Sequence, residues 1–244
     1  MAKLADLRKK NLELAKKGVR ESVNPDLFII NCVNNVEELQ KIANNLSKRL
    51  REWYSLHLPE LDKRTEEHNT FIRLILAKDK KELMKDLKIH DTMGADLEKK
   101  DLEPILILAK VIEGLNKEAA VLEKYLEERM RNYCPNLLTL TGAVIGAKLL
   151  REAGSLKKLA MMRSSTVQLL GAEKALFRHI RTGARPPKYG YLLQHQLVQK
   201  AKKDEKGKAA RALADKIFLA VRMDYFKGAF VADKLLKELE ERFK

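Results

Sequence analysis

Basic side chains crowd into one short stretch of this chain. Between Gly171 and Gly190 it reads GAEKALFRHIRTGARPPKYG, where Lys174, Arg178, Arg181, Arg185 and Lys188 stand with a single acid, Glu173. Arg163 lies just upstream. Positive charge at this density, on a short helical pattern that breaks at Thr182-Gly183, suits a phosphate backbone. Pro186-Pro187 fix two φ angles, so Arg185 and Lys188 are presented with little freedom left to lose on binding. Lys148, Arg151, Lys157 and Lys158 extend the basic set on the N-terminal side. Gln194, His195 and Gln199 follow it and offer groups of the kind that read base edges or 2′-hydroxyls. Tyr189 and Tyr191 flank Gly190, and either ring can stack on an exposed base or pack beneath its own turn.

Catalytic chemistry is poorly represented. Neither G-x-G-x-x-G nor G-x-x-x-x-G-K-[ST] occurs, so both nucleotide fingerprints are missing. The histidines at 57, 68, 90, 179 and 195 share no metal-ligand spacing with Cys32 and Cys134, and no metal or cofactor is expected. His68 lies on an apolar helix face and reads as packed or paired. Ser155-Leu156-Lys157-Lys158 matches S-x-x-K by letter, but the companion elements are absent and the serine reads as a helix cap. Glu173 reads as a pairing partner within its basic cluster. The chain is expected not to be an enzyme.

Charge is distributed unevenly. The whole chain carries 49 basic and 34 acidic side chains. Residues 1–131 hold 26 and 24 of them, whereas residues 132–244 hold 23 and 10. The second half is therefore where a polyanion would bind. Two distant cysteines without a CxxC pair read as small buried hydrophobes in a reducing compartment. No segment resembles a signal peptide or reaches the roughly 18 apolar residues of a membrane span, so a soluble intracellular protein with no membrane partner is expected.

The elements that must position these residues are helical, because no period-2 run or Asn-Gly hairpin signal appears. The expected class is all-α. A helix starts at Asn24-Pro25, and Val36, Leu39, Ala43, Leu46, Leu50 and Trp53 follow at alternating spacings of three and four, a heptad seam. Pro59 interrupts it by pushing Leu58 out of the α region, and a pattern resumes through Leu61, Thr65, His68, Ile72 and Ile75. Lys-rich residues 79–93 read as a tip or turn with short helices at most. Beyond them Leu108, Ile112, Leu115, Ala119, Leu122 and Leu126 form a second seam. Two seams about a reversing tip predict an antiparallel coiled-coil arm over 33–131; the same seams would also serve a globular helical core. Residues 1–32 are expected to pack as a helical segment near the domain, and 132–244 to form a compact helical domain.

The run GAEKALFRHIRTGARPPKYGYLLQHQLVQ, with KGKAARALADKIFLAVRMDYF after it and CPNLLTLTGAVIGAKLLREAGSLKKLAMMRSSTVQLLGAEK before it, resembles the Nop domain. That domain belongs to the core scaffold protein of box C/D ribonucleoproteins and to a spliceosomal relative. REWYSLHLPEL at Arg51–Leu61 resembles the family's coiled coil. The short end at Phe243-Lys244 resembles the archaeal member, which implies a cytoplasmic location; a eukaryotic member would be nucleolar. Nothing like the family's fibrillarin-docking domain precedes Leu4, so the chain reads as arm plus Nop domain, and fibrillarin is a partner implied for the full-length protein.

The resemblance implies a non-catalytic scaffold that binds a kink-turn of box C/D guide RNA together with its K-turn-binding protein. It further implies pairing with a second copy through the coiled coil, in a particle that directs 2′-O-methylation. By analogy Lys148, Arg151, Lys174, Arg178, Arg181, Arg185, Lys188, Gln194, His195 and Gln199 would meet RNA. Ala175, Leu176, Phe177 and Arg178 would sit against the end of the guide duplex. The small residues Gly142, Ala143, Gly171 and Ala172 would admit the protein partner. Two other readings stand beside it: the spliceosomal relative, and a protein-only helical scaffold whose basic surface meets an acidic partner.

Overall fold

The computed structural model describes residues 2–243, and the side chains of all of these except 2, 3 and 5. The described residues form α-helices and no strand, the all-α class that the periodicity anticipates. In order they are α1 (Ala2–Ser22), α2 (Pro25–Tyr54), α3 (Pro59–Arg64), α4 (His68–Ala77), α5 (Lys80–Asp86), α6 (Lys99–Tyr133) and α7 (Pro135–Thr141). Then come α8 (Ala143–Ala153), α9 (Leu156–Met161), α10 (Ser164–Leu169), α11 (Glu173–Thr182), a 3₁₀ turn (Tyr191–Gln194), α12 (Gln196–Lys200), α13 (Lys206–Tyr225) and α14 (Ala232–Arg242). The chain divides into two compact units, Asn34–Leu122 and Met1–Val33 with Glu123–Lys244.

In the unit Asn34–Leu122 the apolar core joins Ala43, Leu50 and Tyr54 of α2 to Ile105, Ala109 and Ile112 of α6, with Phe71, Ile72 and Ile75 of α4. Val36, Ala43, Leu50, Ile112 and Ala119 are buried, with Leu126 beyond the unit's edge buried too, while Leu39, Leu46, Leu108, Leu115 and Leu122 are half-buried. Trp53 departs from the expected seam: it is 42 % exposed, and Tyr54 is buried in its place. The buried stripe steps from Ala43 to Ser47, Leu50 and Tyr54, because the Ser47 hydroxyl is satisfied by the Ala43 carbonyl at 2.7 Å and Tyr54 meets Phe71 edge-on.

Leu58 is extended, at φ −149° and ψ 81°, and Pro59 opens α3, as the proline rule requires. The pattern expected to run on through Leu61 and Ile75 is split at residues 65–67. Arg51 holds that break: its guanidinium donates to the Asp62 carboxylate and to the carbonyls of Asp62 and Thr65, and lies 4.9 Å from the Phe71 ring centroid. The Lys-rich stretch at 79–93 holds one short helix, α5. Asp79 and Glu82 form a reciprocal capping box at the start of α5, whose Leu83 is 1 % exposed. Gly94 lies so close to His57 that a Cβ would sit 2.2 Å from its carbonyl oxygen, and Glu60 accepts from the amide of Met93 at 3.0 Å.

The other unit is organised around α13, which packs on α7, α9 and α10. Ala209, Ala210, Ala212, Ala214 and Ala220 are buried on it, so neighbouring helices approach closely without leaving voids. The Asp224 carboxylate accepts from the amides of Asn136 and Leu137 at 3.0 and 2.9 Å, and so caps α7. Asn136 Oδ1 in turn accepts from Val231 and Ala232 at 2.7 and 3.0 Å, at the start of α14. Burial raises the Asp224 carboxyl above its ordinary range. Within residues 1–32, expected to pack near the domain, every described side chain of α1 is exposed, whereas Asp26, Ile29 and Cys32 at the start of α2 are buried, and the Asp26 carboxylate accepts from the Leu156 amide at 3.1 Å. Leu4, Leu7, Leu12, Leu14 and Val19 are among the exposed residues of α1.

Candidate nucleic-acid interface

Helix α11 buries neither of its faces. Lys174, Arg178 and Arg181 share one face by their spacing of four and three, and Leu176, Phe177 and Ile180 share another. Phe177 is 70 % and Ile180 72 % exposed. The carboxylate of Glu173 accepts from the Gly171 amide at 2.7 Å, so the one acid of the cluster is committed to the helix start. Lys174, Arg178, Arg181, Arg185 and Lys188 are all exposed, and none makes a side-chain hydrogen bond or ion pair among the described residues. Five uncompensated cations along about one helix and one turn form a field suited to a polyanion.

The turn is held rigidly. Helix α11 ends on Gly183 in the left-handed region at φ 68°, and the His179 ring bonds back to the Ala184 carbonyl. Buried Gln168 of α10 donates to the Lys188 carbonyl at 2.6 Å and accepts, through its own backbone carbonyl, from the Gly190 amide at 3.0 Å. A Cβ on Gly190 would lie 1.8 Å from the Leu170 carbonyl oxygen, so only glycine fits there. Tyr191 packs beneath Gly171, where a Cβ would meet its ring at 2.6 Å. Its hydroxyl accepts from Arg151 at 2.7 Å and donates to Glu152 at 3.0 Å. Of the two roles open to it, packing is the one taken, and burial raises its phenol above the ordinary range.

Other expected contacts are redistributed. Lys148 is only 8 % exposed, and its ammonium donates to Gln194 at 3.1 Å. Arg151 is tied to Tyr191 and Glu152. Lys148 thus lies on the buried side of α8, while Arg151 is partly exposed. His195 caps α12: its Nδ1 accepts from the Leu197 amide at 3.2 Å, and the ring also bonds the Leu140 carbonyl. Burial holds its pKa below the ordinary imidazole value. Gln194 and Gln199 remain exposed. Glu152, Gln168 and the Gly171–Tyr191 fit are supports that no spacing rule reveals, since their partners lie 20 or more residues away.

The four small residues separate into two places. Gly171 is an internal fit for Tyr191, with Ala172 beside it at the start of α11. Gly142 and Ala143 instead open α8, with no atom within 4 Å of a Cβ built on Gly142. They border a cleft of about 760 Å³ that also includes Gln194, Lys200, Leu236 and Leu239. A second groove, bounded by Pro135, Leu138 and Phe230, continues from the same pair.

Known proteins share this arrangement of sequence. The Nop family model, described as "snoRNA binding domain, fibrillarin", matches residues 35–244. An uncharacterized NOP5 family protein of Methanocaldococcus jannaschii is 41 % identical over 94 % of this chain and 59 % of its own length. Nucleolar protein 56 of Saccharomyces cerevisiae is 34 % identical over 89 % of this chain and 48 % of its own. The chain thus spans between about half and three-fifths of these relatives. A chain in the crystal structure of a fibrillarin/Nop5p complex superposes with a TM-score of 0.57 at 24 % identity, covering 98 % of this chain and 77 % of that one, and shares the fold.

Proposed function

The chain belongs to the Nop family, and from that premise we propose that it is a non-catalytic scaffold of a box C/D guide ribonucleoprotein. It binds a kink-turn RNA together with the K-turn-binding protein, in a particle where fibrillarin methylates the 2′-hydroxyl of a guided nucleotide. The observation that carries this reading is the row of five exposed, unpaired cations on α11 and its turn, inside the matched segment. Phosphate contacts from Lys174, Arg178, Arg181, Arg185 and Lys188 supply affinity. Phe177 and Ile180 offer an apolar surface for the flat end of a duplex. The groove at Gly142–Ala143 admits the protein partner, since small residues there leave room for a close approach.

Pairing with a second copy needs a surface other than the seam, whose residues are used within the chain. Ile107, Val111 and Val121 of α6 give one, exposed at 54 %, 49 % and 58 % on a face away from the core. The test of the scaffold reading is a gel-shift titration at about 150 mM salt with a kink-turn RNA and a scrambled control, each with and without the K-turn protein. Tight binding that requires both components is expected. Equal binding to every RNA reduces the site to a general basic surface and removes the reading.

A further inference from the structure

Gln194 ends the 3₁₀ turn beside the basic loop, and its amide is held in one orientation. Its Oε1 accepts from Lys148 Nζ at 3.1 Å. The ammonium lies 5.7 Å from the centroid of the Tyr191 ring, and that ring is itself fixed by Arg151 and Glu152. A lysine ammonium has three donors and no acceptor. Only the carbonyl end of an amide can face it, so the Nε2 end is turned away. That nitrogen has no partner among the described residues, and Gln194 is exposed.

We infer that Lys148 is a positioning residue that fixes Gln194 as a donor-only contact, and that the RNA atom Gln194 meets is an acceptor. A phosphate oxygen, a base carbonyl oxygen or an unprotonated ring nitrogen fits; an exocyclic amino group does not. A free glutamine pairs with adenine through both ends of its amide, its oxygen accepting from N6 and its nitrogen donating to N7. Here the oxygen is turned onto the buried Lys148 ammonium and only the nitrogen end is left facing outward, so the two ends cannot meet one base edge together. Fixing the amide also removes a broad terminal torsion before binding, which lowers the ordering cost. The near-complete burial of Lys148 separates this role from a direct phosphate contact. The inference rests on the reading that this face of the molecule meets RNA.

The test uses the full chain with the K-turn protein and a kink-turn RNA, titrated at about 150 mM and 500 mM salt so that long-range repulsion is screened in the second series. Gln194→Met is expected to weaken binding roughly tenfold, as loss of one well-placed hydrogen bond does. Lys148→Met weakens it by a similar factor when Gln194 is present and leaves it unchanged in the Gln194→Met background. Gln194→Glu keeps a partner for Lys148, so its melting temperature does not fall, yet it binds at least tenfold more weakly at both salts. Additive losses would make Lys148 an independent contact and overturn the inference. So would a Gln194→Glu protein that binds as tightly as the parent, because an amino group would then be the target. If Lys148→Met loses helicity, the two substitutions at exposed Gln194 decide the matter alone. An Arg178→Ala, Arg181→Ala protein is titrated in parallel. Should it weaken while both Gln194 variants bind normally, only the present inference falls; should it also bind normally, the RNA face itself is misplaced.

Discussion

Arg51 and Arg178 have the same side chain and opposite surroundings. Arg51 is 13 % exposed at its side chain and gives its donors to Asp62, Thr65 and the face of Phe71. Arg178 is exposed on α11 and makes no ion pair among the described residues. A guanidinium whose five donors are met inside the chain fixes a backbone turn; one whose donors are open, among four other open cations, awaits an external anion. The two halves of the sequence differ in the same sense. The first nearly balances its charges, and the second carries 23 bases against 10 acids. Local pairing, more than the number of arginines, separates architecture from interface.

Removing the open cations tests that distinction where the effect is largest. Arg178→Ala with Arg181→Ala is expected to weaken kink-turn RNA binding about a hundredfold or more, at roughly 1.5–3 kcal/mol per charge-assisted contact. The slope of log affinity against log salt should fall by roughly 0.7–0.9 for each lost phosphate contact. The melting temperature should not move. An unchanged slope removes both residues from the interface.

Arg51→Met should do the reverse. It strands the carbonyls of Asp62 and Thr65 and releases the α3–α4 break, at a cost of about 3 kcal/mol. Hydrogen exchange should show the loss in residues 59–77 while RNA affinity holds. If RNA affinity fell as far as in the α11 variant, the division of roles between the two arginines would be wrong. Gly190→Ala falls between the extremes, because its Cβ would collide with the Leu170 carbonyl. About 2 kcal/mol of local destabilisation is expected, with loosening of the turn that carries Arg185 and Lys188. A titration should show a smaller loss of RNA affinity than in the double arginine variant.

Much of this contrast is legible in the residues alone. Helix period, the proline break at Pro59 and the charge step at residue 131 all follow from local rules, and so did the heptad seams, apart from Trp53. The Trp53–Tyr54 exchange was not legible, because a spacing of three or four satisfies a heptad equally and Phe71, the ring that selects Tyr54, is 17 residues away. The basic cluster was visible as composition, and its openness depends on where acids fall in space. Lys148, Arg151 and His195 show why: each carries a group suited to RNA, and each is claimed by a neighbour that sequence spacing does not reveal. Tyr191 shows the same for packing, since its pocket exists only because residue 171 is glycine.

The smallest effect expected comes from protons, and it sharpens the comparison because the histidines concerned lie in both units. Burial depresses His57 and His68 in one unit and His195 in the other, with Arg51 adding to the depression at His68. Each folded value lies below the ordinary 6.5, so the unfolded chain binds protons that the folded chain refuses. Their contribution is complete above about pH 6.5 and is lost as the pH falls through the depressed values. Asp224 has the opposite sign: raised by burial, it favours the folded state as the pH falls toward its ordinary 3.8. A melting temperature lower at about pH 5.5 than at about pH 7.5 is therefore expected. His195→Asn retains an N-cap acceptor for α12 and should remove the acid sensitivity of that unit alone, as read by hydrogen exchange in residues 191–200. The exposed arginines of α11 keep their charge throughout this range, so RNA affinity referred to folded protein should not follow the stability curve. If the two fell together, the interface would depend on a titrating group other than these arginines.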